Sequence, residues 1–165
     1  MKWQLPLSII LFALAVWGAW YWFQAADSDE TRIRHAIKQL SDALSKTPKE
    51  SAAIGLLKVK TVADSFADPA DITIGEYVSG KFNHETVTGH AMQYRSLLEH
   101  ANVSVSDLRV ELTAPDRAHC VFNGKFSGRS KSGISHEEVN DLDAVLVKRD
   151  KRWKIQEIRF QKVLH

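Results

Sequence analysis

Leu5 to Phe23, LPLSIILFALAVWGAWYWF, runs nineteen residues without a charge. A helix of that length rises roughly 28 Å, close to the ~30 Å hydrocarbon thickness of a bilayer. The run is therefore expected to be a transmembrane helix. Lys2 is the only charged side chain before it, whereas Asp27, Asp29 and Glu30 follow it. The positive flank stays inside, so the C-terminal part is expected outside. Trp17, Trp20, Tyr21, Trp22 and Phe23 crowd the last third of the run, where amphipathic rings settle at headgroup level. A cleaved secretory signal is the competing reading. It has an apolar core of roughly 7–15 residues and a small-x-small cleavage site. Cleavage after Ala26 or Ala25 would place Gln24 or Phe23 where a small residue is wanted. Residues 1–26 are accordingly read as an uncleaved anchor in the cytoplasmic membrane, N-terminus inside, with residues 27–165 periplasmic or extracellular. A secreted chain starting at Asp27 is the alternative.

About 140 residues remain, the usual size of one domain with its own core. All 20 acids and all but one of the 22 Lys and Arg residues lie beyond Gln24, so this domain is nearly neutral. That balance excludes a nucleic-acid surface, which needs a clustered excess of positive charge. Cys120 is the only cysteine, so no intramolecular disulfide and no thiolate metal cluster can form.

Asp27 can cap a first helix, with Glu30 reaching back to it. Ile33, Ala36, Ile37, Leu40, Ala43 and Leu44 then fall at helical spacing. Thr47-Pro48-Lys49-Glu50 carries the cap, first-turn proline and capping-box glutamate of a second helix. Its buried stripe is expected to be Leu56, Val59, Ala63 and Phe66, ending at Asp68-Pro69. Asp71 to Val78 reads as a short strand. Asn83 caps a third helix from about Glu85 to His100, with Val87, Ala91, Tyr94 and Leu98 on one face. From Val103 the period changes to two. Leu108, Val110 and Leu112 form one strand, and Ala118, Cys120, Phe122 and Phe126 the next. The segments 139–149 and 152–163 follow, joined by Arg149-Asp150-Lys151. Four long strands with short connections predict an antiparallel meander.

The strand DKRWKIQEIRFQKVL, with its charged turn followed by Trp153, Ile155 and Ile158, resembles the closing strand of the nuclear-transport-factor-like cone superfamily. So does the Ala118, Cys120, Phe122 strand running into Gly124 and Gly128. The resemblance covers about Glu30 to Leu164. It implies an α+β domain, three helices packed on a curved antiparallel four-stranded sheet, behind the N-terminal transmembrane helix. Its members include isomerases, dehydratases, transport adaptors and secretion-system subunits, so the fold does not assign an activity.

In the cone-fold enzymes, a pocket between helices and sheet holds the few polar groups that do acid and base work. Asp143, between Leu142 and Ala144, is the candidate pocket acid. Tyr77 and Tyr94 are the candidate pocket hydroxyls. Leu142, Ala144 and Leu146 alternate with Asp143, Val145 and Val147, so both strand faces are apolar and either could be concave. The seven histidines make no zinc spacing, and neither a metal nor a cofactor is expected. Lys148, Arg149, Lys151, Arg152 and Lys154, with Arg129 and Lys131, are the densest positive region, suited to a solvated strand end or to anionic headgroups. The functional expectation is an anchored interaction or envelope-assembly module, pairing as a homodimer or with an envelope protein. A small-molecule binder or a lyase/isomerase-type enzyme using Asp143 and a tyrosine is the alternative.

Overall fold

The computed structural model describes residues 29–74 and 78–161. The Leu5–Phe23 run and Asp27 lie outside the described residues, and among those described no helix is long and apolar enough to cross a membrane. Residues 29–44 form α1, which buries the stripe Ile33, Ile37, Leu40 and Ala43. Two side chains fasten α1 and the segment behind it to the sheet: Arg34 Nη1 donates to the Leu108 carbonyl at 2.9 Å, and Ser45 Oγ accepts from the Val103 amide at 2.9 Å.

The second helix, α2, spans Ala52–Asp64. It begins later than the Thr47-Pro48 signal predicts. Glu50 does not reach back to close a capping box; its carboxylate is taken by Arg95 and Lys58, and Ser51 supplies the cap by accepting from the Ile54 amide. The buried face becomes Val59, Val62 and Ala63, and Leu56, an expected core residue, is 61% exposed. The helix also ends earlier, because Phe66 and Asp68-Pro69 belong to a strand.

That strand, β1 (Phe66–Ile74), pairs antiparallel with β2 (Val78–Phe82) and parallel with β6 (Arg152–Gln161). Asn83 caps α3 (His84–Leu97) as expected, its side chain accepting from the Thr86 amide at 2.8 Å. The remaining strands are β3 (Leu98–Ala114), β4 (Arg117–Ser130) and β5 (Ser135–Arg149), which continue into β6 as the predicted antiparallel meander. The sheet therefore has six strands in the order β2-β1-β6-β5-β4-β3, not four. Pro69 concealed β1 from a pattern search, since proline is admitted to strands only at edges and irregularities. Here it sits where the β1–β6 register shifts, between Phe66 and Asp71.

Two bulges keep the concave face apolar along the whole sheet. In β3 three steps from Ser106 to Arg109 oppose two steps on β4, from Asn123 to Val121. Asp107 takes the extra place at φ 54°, its carboxylate held by Asn123 Nδ2 at 2.9 Å. Because side chains alternate with period two, the insertion puts Val103 and Val105 on the same side as Leu108, Val110 and Leu112. β6 repeats the device: Ile155 opposes Leu146 and Glu157 opposes Val145, so Trp153 and Ile155 share a face with Ile158 and Phe160.

Candidate functional site

Helices and sheet do not close fully on each other. Between them lies a cavity of about 590 Å³. Ile37 and Leu40 of α1, Val62 of α2 and Ala91 of α3 form its roof, and Phe122, Leu142 and Ile158 part of its floor. Its exposed members, His90, Gln93 and Leu97 on α3 with His136 and Glu138 on β5, place the mouth at the β4–β5 end of the sheet.

A cavity persists partly because Gly124 carries no side chain. A Cβ there would stand 2.4 Å from Leu142 Cδ1, so Leu142 occupies the space that any larger residue would take. Outside the lining, a buried charge cluster holds the helices together. Arg95, 7% exposed, donates Nη1 to the Ala43 and Ser45 carbonyls at 2.9 and 3.3 Å, and Nη2 to Glu50. Lys58 joins Glu50 at 2.8 Å and the Ser45 carbonyl at 2.9 Å. Burial alone would raise the Glu50 carboxyl; hydrogen bonds and charge from Lys58 and Arg95 bring it below its ordinary value. The cluster clamps α3 to the α1–α2 connection and fixes the side of the cavity on which Tyr94 stands.

Tyr94 lines the cavity, and among the described residues its buried hydroxyl has no hydrogen-bond partner. Its ring meets Phe126 edge-on, with centroids 6.3 Å apart. Burial pushes its ionisation up to about 12, against a small opposing pull from Arg95. The phenol thus stays a neutral donor at physiological pH. A buried polar group left unsatisfied costs about 1–3 kcal/mol, which an acceptor on a bound molecule would recover.

Asp143, the expected pocket acid, is not among the residues lining the cavity. Leu142, Ala144 and Leu146 take the concave side, and Asp143 projects from the outer face, where His119 Nε2 meets its carboxylate at 2.9 Å. Tyr77 lies outside the described residues. Polar groups of the lining went unnamed in the sequence reading, among them His136, Glu138 and Asn140 of β5. They precede Leu142 by six, four and two residues, so period two would have placed them once the concave face was known. His136 Nε2 and Glu138 Oε2 are 3.3 Å apart at the mouth, both more than half exposed. Among the described residues no cluster of three metal-ligating side chains occurs.

No protein-family model and no curated protein matches the sequence. Solved structures do match the fold. A provisionally assigned scytalone dehydratase from Novosphingobium aromaticivorans superposes with a TM-score of 0.73 at 9% identity, over 86% of this chain and 89% of that one. A provisionally assigned dehydratase of the NTF2-like family from Streptomyces avermitilis gives 0.66 at 14%, over 85% and 99%. The association domain of CaMKII from C. elegans gives 0.60 at 12%, over 82% and 97%. The chain thus has the NTF2-like cone fold, and identities this low carry fold and nothing further.

Proposed function

We propose that this protein is a membrane-anchored binding module whose cone cavity takes an apolar small molecule bearing one hydrogen-bond acceptor. The observation that carries the reading is the buried Tyr94 hydroxyl, unpartnered among the described residues, inside an apolar cavity of about 590 Å³. That volume falls within the roughly 300–1,000 Å³ of small-molecule sites, which pair apolar walls with a few placed polar groups. The anchor rests on the uncharged Leu5–Phe23 run and its charge asymmetry, with the domain outside the cytoplasmic membrane. The matching dehydratases suggest that the same cavity could have supported proton-transfer chemistry. With Asp143 on the outer face, and the His136–Glu138 pair at a solvated mouth, binding is the better-supported role.

The test is organic extraction of purified full-length protein, with mass spectrometry of the extract. Wild type should release one apolar molecule in near-stoichiometric amount, and Ala91→Phe, which fills the cavity, should release none. An empty wild-type extract, or an equal yield from both proteins, removes the reading.

A second reading, assembly through the outer sheet face, is favoured by Val121 and Val139, which stand 40% and 56% exposed there. It requires a homodimer or a heteromeric complex of the solubilised protein. A strictly monomeric mass at tens of micromolar, with no companion subunit, would exclude it.

A further inference from the structure

The basic stretch around the β5–β6 turn acquires a location in the fold. Asp29, in the first turn of α1, is buried against the base of that hairpin. Lys148 Nζ donates to both of its oxygens at 2.9 Å, and Trp153 Nε1 donates at 3.2 Å. Five residues, six steps of chain, separate Phe23, the last of the apolar run, from Asp29. Six steps of chain span at most about 20 Å, which is the farthest the proposed anchor can end from Asp29.

The charges gathered at this end of the sheet are predominantly positive. Arg117, Val147 and Lys154 form one cross-strand row on the outer face, and Arg149 opposes Arg152 in the row beyond it. Lys151 lies in the turn between them. These five cations meet two exposed acids, Asp116 and Asp150, whereas the whole chain carries a net of only +2. Among the described residues none of the five has an ion-pair partner. Like charges directly opposite each other weaken a sheet, so the Arg149–Arg152 pair works against the fold's own stability. Lys148, by contrast, is neutralised by Asp29, and that pair holds α1 to the hairpin.

We infer that the β5–β6 hairpin end is a docking surface for anionic lipid headgroups, which seats the domain on the bilayer beside its own anchor. The inference rests on the anchor proposed above. Clusters of Lys and Arg are drawn to anionic leaflets within about one Debye length, roughly 8–10 Å, and a tether of at most about 20 Å lets the hairpin reach that layer. The orientation has a consequence for the cavity. Glu138, at the mouth, lies eleven residues along β5 from Arg149, roughly 35 Å at strand rise. A domain seated on the hairpin presents its mouth to the aqueous side, so its ligand enters from solution.

The experiment uses full-length protein reconstituted into phosphatidylcholine vesicles with and without about 30% phosphatidylglycerol, enough to give the surface a negative potential. Lysine acylation is then followed peptide by peptide. Acylation of Lys151 and Lys154 should be about tenfold slower in the anionic vesicles, and the protection should vanish in high salt and in Arg149→Gln/Arg152→Gln. Lys125 and Lys131, at the opposite end, should react equally in both. Equal rates at Lys151 and Lys154 in the two vesicles, or protection that survives high salt, overturn the inference. Protection seen in native membranes and absent from pure anionic vesicles overturns it in favour of an acidic protein partner. Flotation with the uncharged vesicles reports the anchor separately: protein that floats without anionic protection keeps the anchor and loses the docking surface, and protein that does not float loses both.

Discussion

Arg95→Met should be the most damaging single substitution in the helical layer. The side chains of Arg95 and Glu50 are only 8% and 5% exposed, so removing the cation strands a buried carboxylate and the Ala43 carbonyl. Breaking a buried pair from one side costs about 3–5 kcal/mol. Lys58 still reaches Glu50 and the Ser45 carbonyl, which puts the expected loss at the lower end, about 3 kcal/mol. For a chain of this size that is about 6–12 °C in Tm. The double variant Arg95→Met/Glu50→Leu removes both charges and should recover part of the loss, because isosteric apolar replacement of a buried pair is often near neutral. Urea and thermal unfolding of the four proteins in one detergent complete the double-mutant cycle. A cost below about 1 kcal/mol for Arg95→Met, or strict additivity in the cycle, would show that the clamp is ornamental and that α3 is held by apolar packing alone.

Gly124→Ala should displace Leu142 toward the cavity, at a stability cost of about 1 kcal/mol, and weaken ligand retention about tenfold, read by the extraction assay. Asp29 and Glu50 both titrate below their ordinary values: burial opposes this, and hydrogen bonds and charge from Lys148 and Trp153, or from Lys58 and Arg95, outweigh it. Such groups bind fewer protons folded than unfolded, so their contribution is complete above about pH 4–5 and is lost as the pH falls through the lower folded values. Urea midpoints between pH 6 and pH 3 should fall less steeply in Asp29→Asn/Glu50→Gln than in wild type. Cys120 is fully buried and its thiol is pushed up to about 12 by burial, so it should resist a maleimide at pH 8 until the domain unfolds. Stoichiometric labelling within minutes under native conditions would contradict that packing.

Much of the fold was legible because its signals are local. The meander follows from period-two runs separated by turn residues, and α3 from the Asn83 cap and the stripe through Val87 and Ala91. The failures have local causes of a different kind. Glu50 looked like a capping-box residue, since nothing in the sequence shows that Arg95, forty-five positions later, will claim its carboxylate. Pro69 concealed a strand by sitting at a register shift. At the site, Tyr94 was a candidate by resemblance to cone-fold enzymes, and it lines the cavity on the α3 face that carries Val87 and Ala91. Asp143 could stand only as a candidate, because β5 is apolar on both faces and periodicity gives alternation without saying which side the helices cover.

Sequence alone determined the quantities that depend on near neighbours along the chain: the uncharged run at the N-terminus, the alternation of the strands, the cap of α3 and the clustering of cations around Asp150. Tertiary structure decided which face of β5 is concave, which carboxylates lose water, and that the basic hairpin lies beside the start of α1. Those outcomes depend on pairings between segments tens of residues apart, Asp29 with Lys148 and Glu50 with Arg95 among them. Desolvation and packing act on what is adjacent in space, and spacing along the chain carries no record of that adjacency.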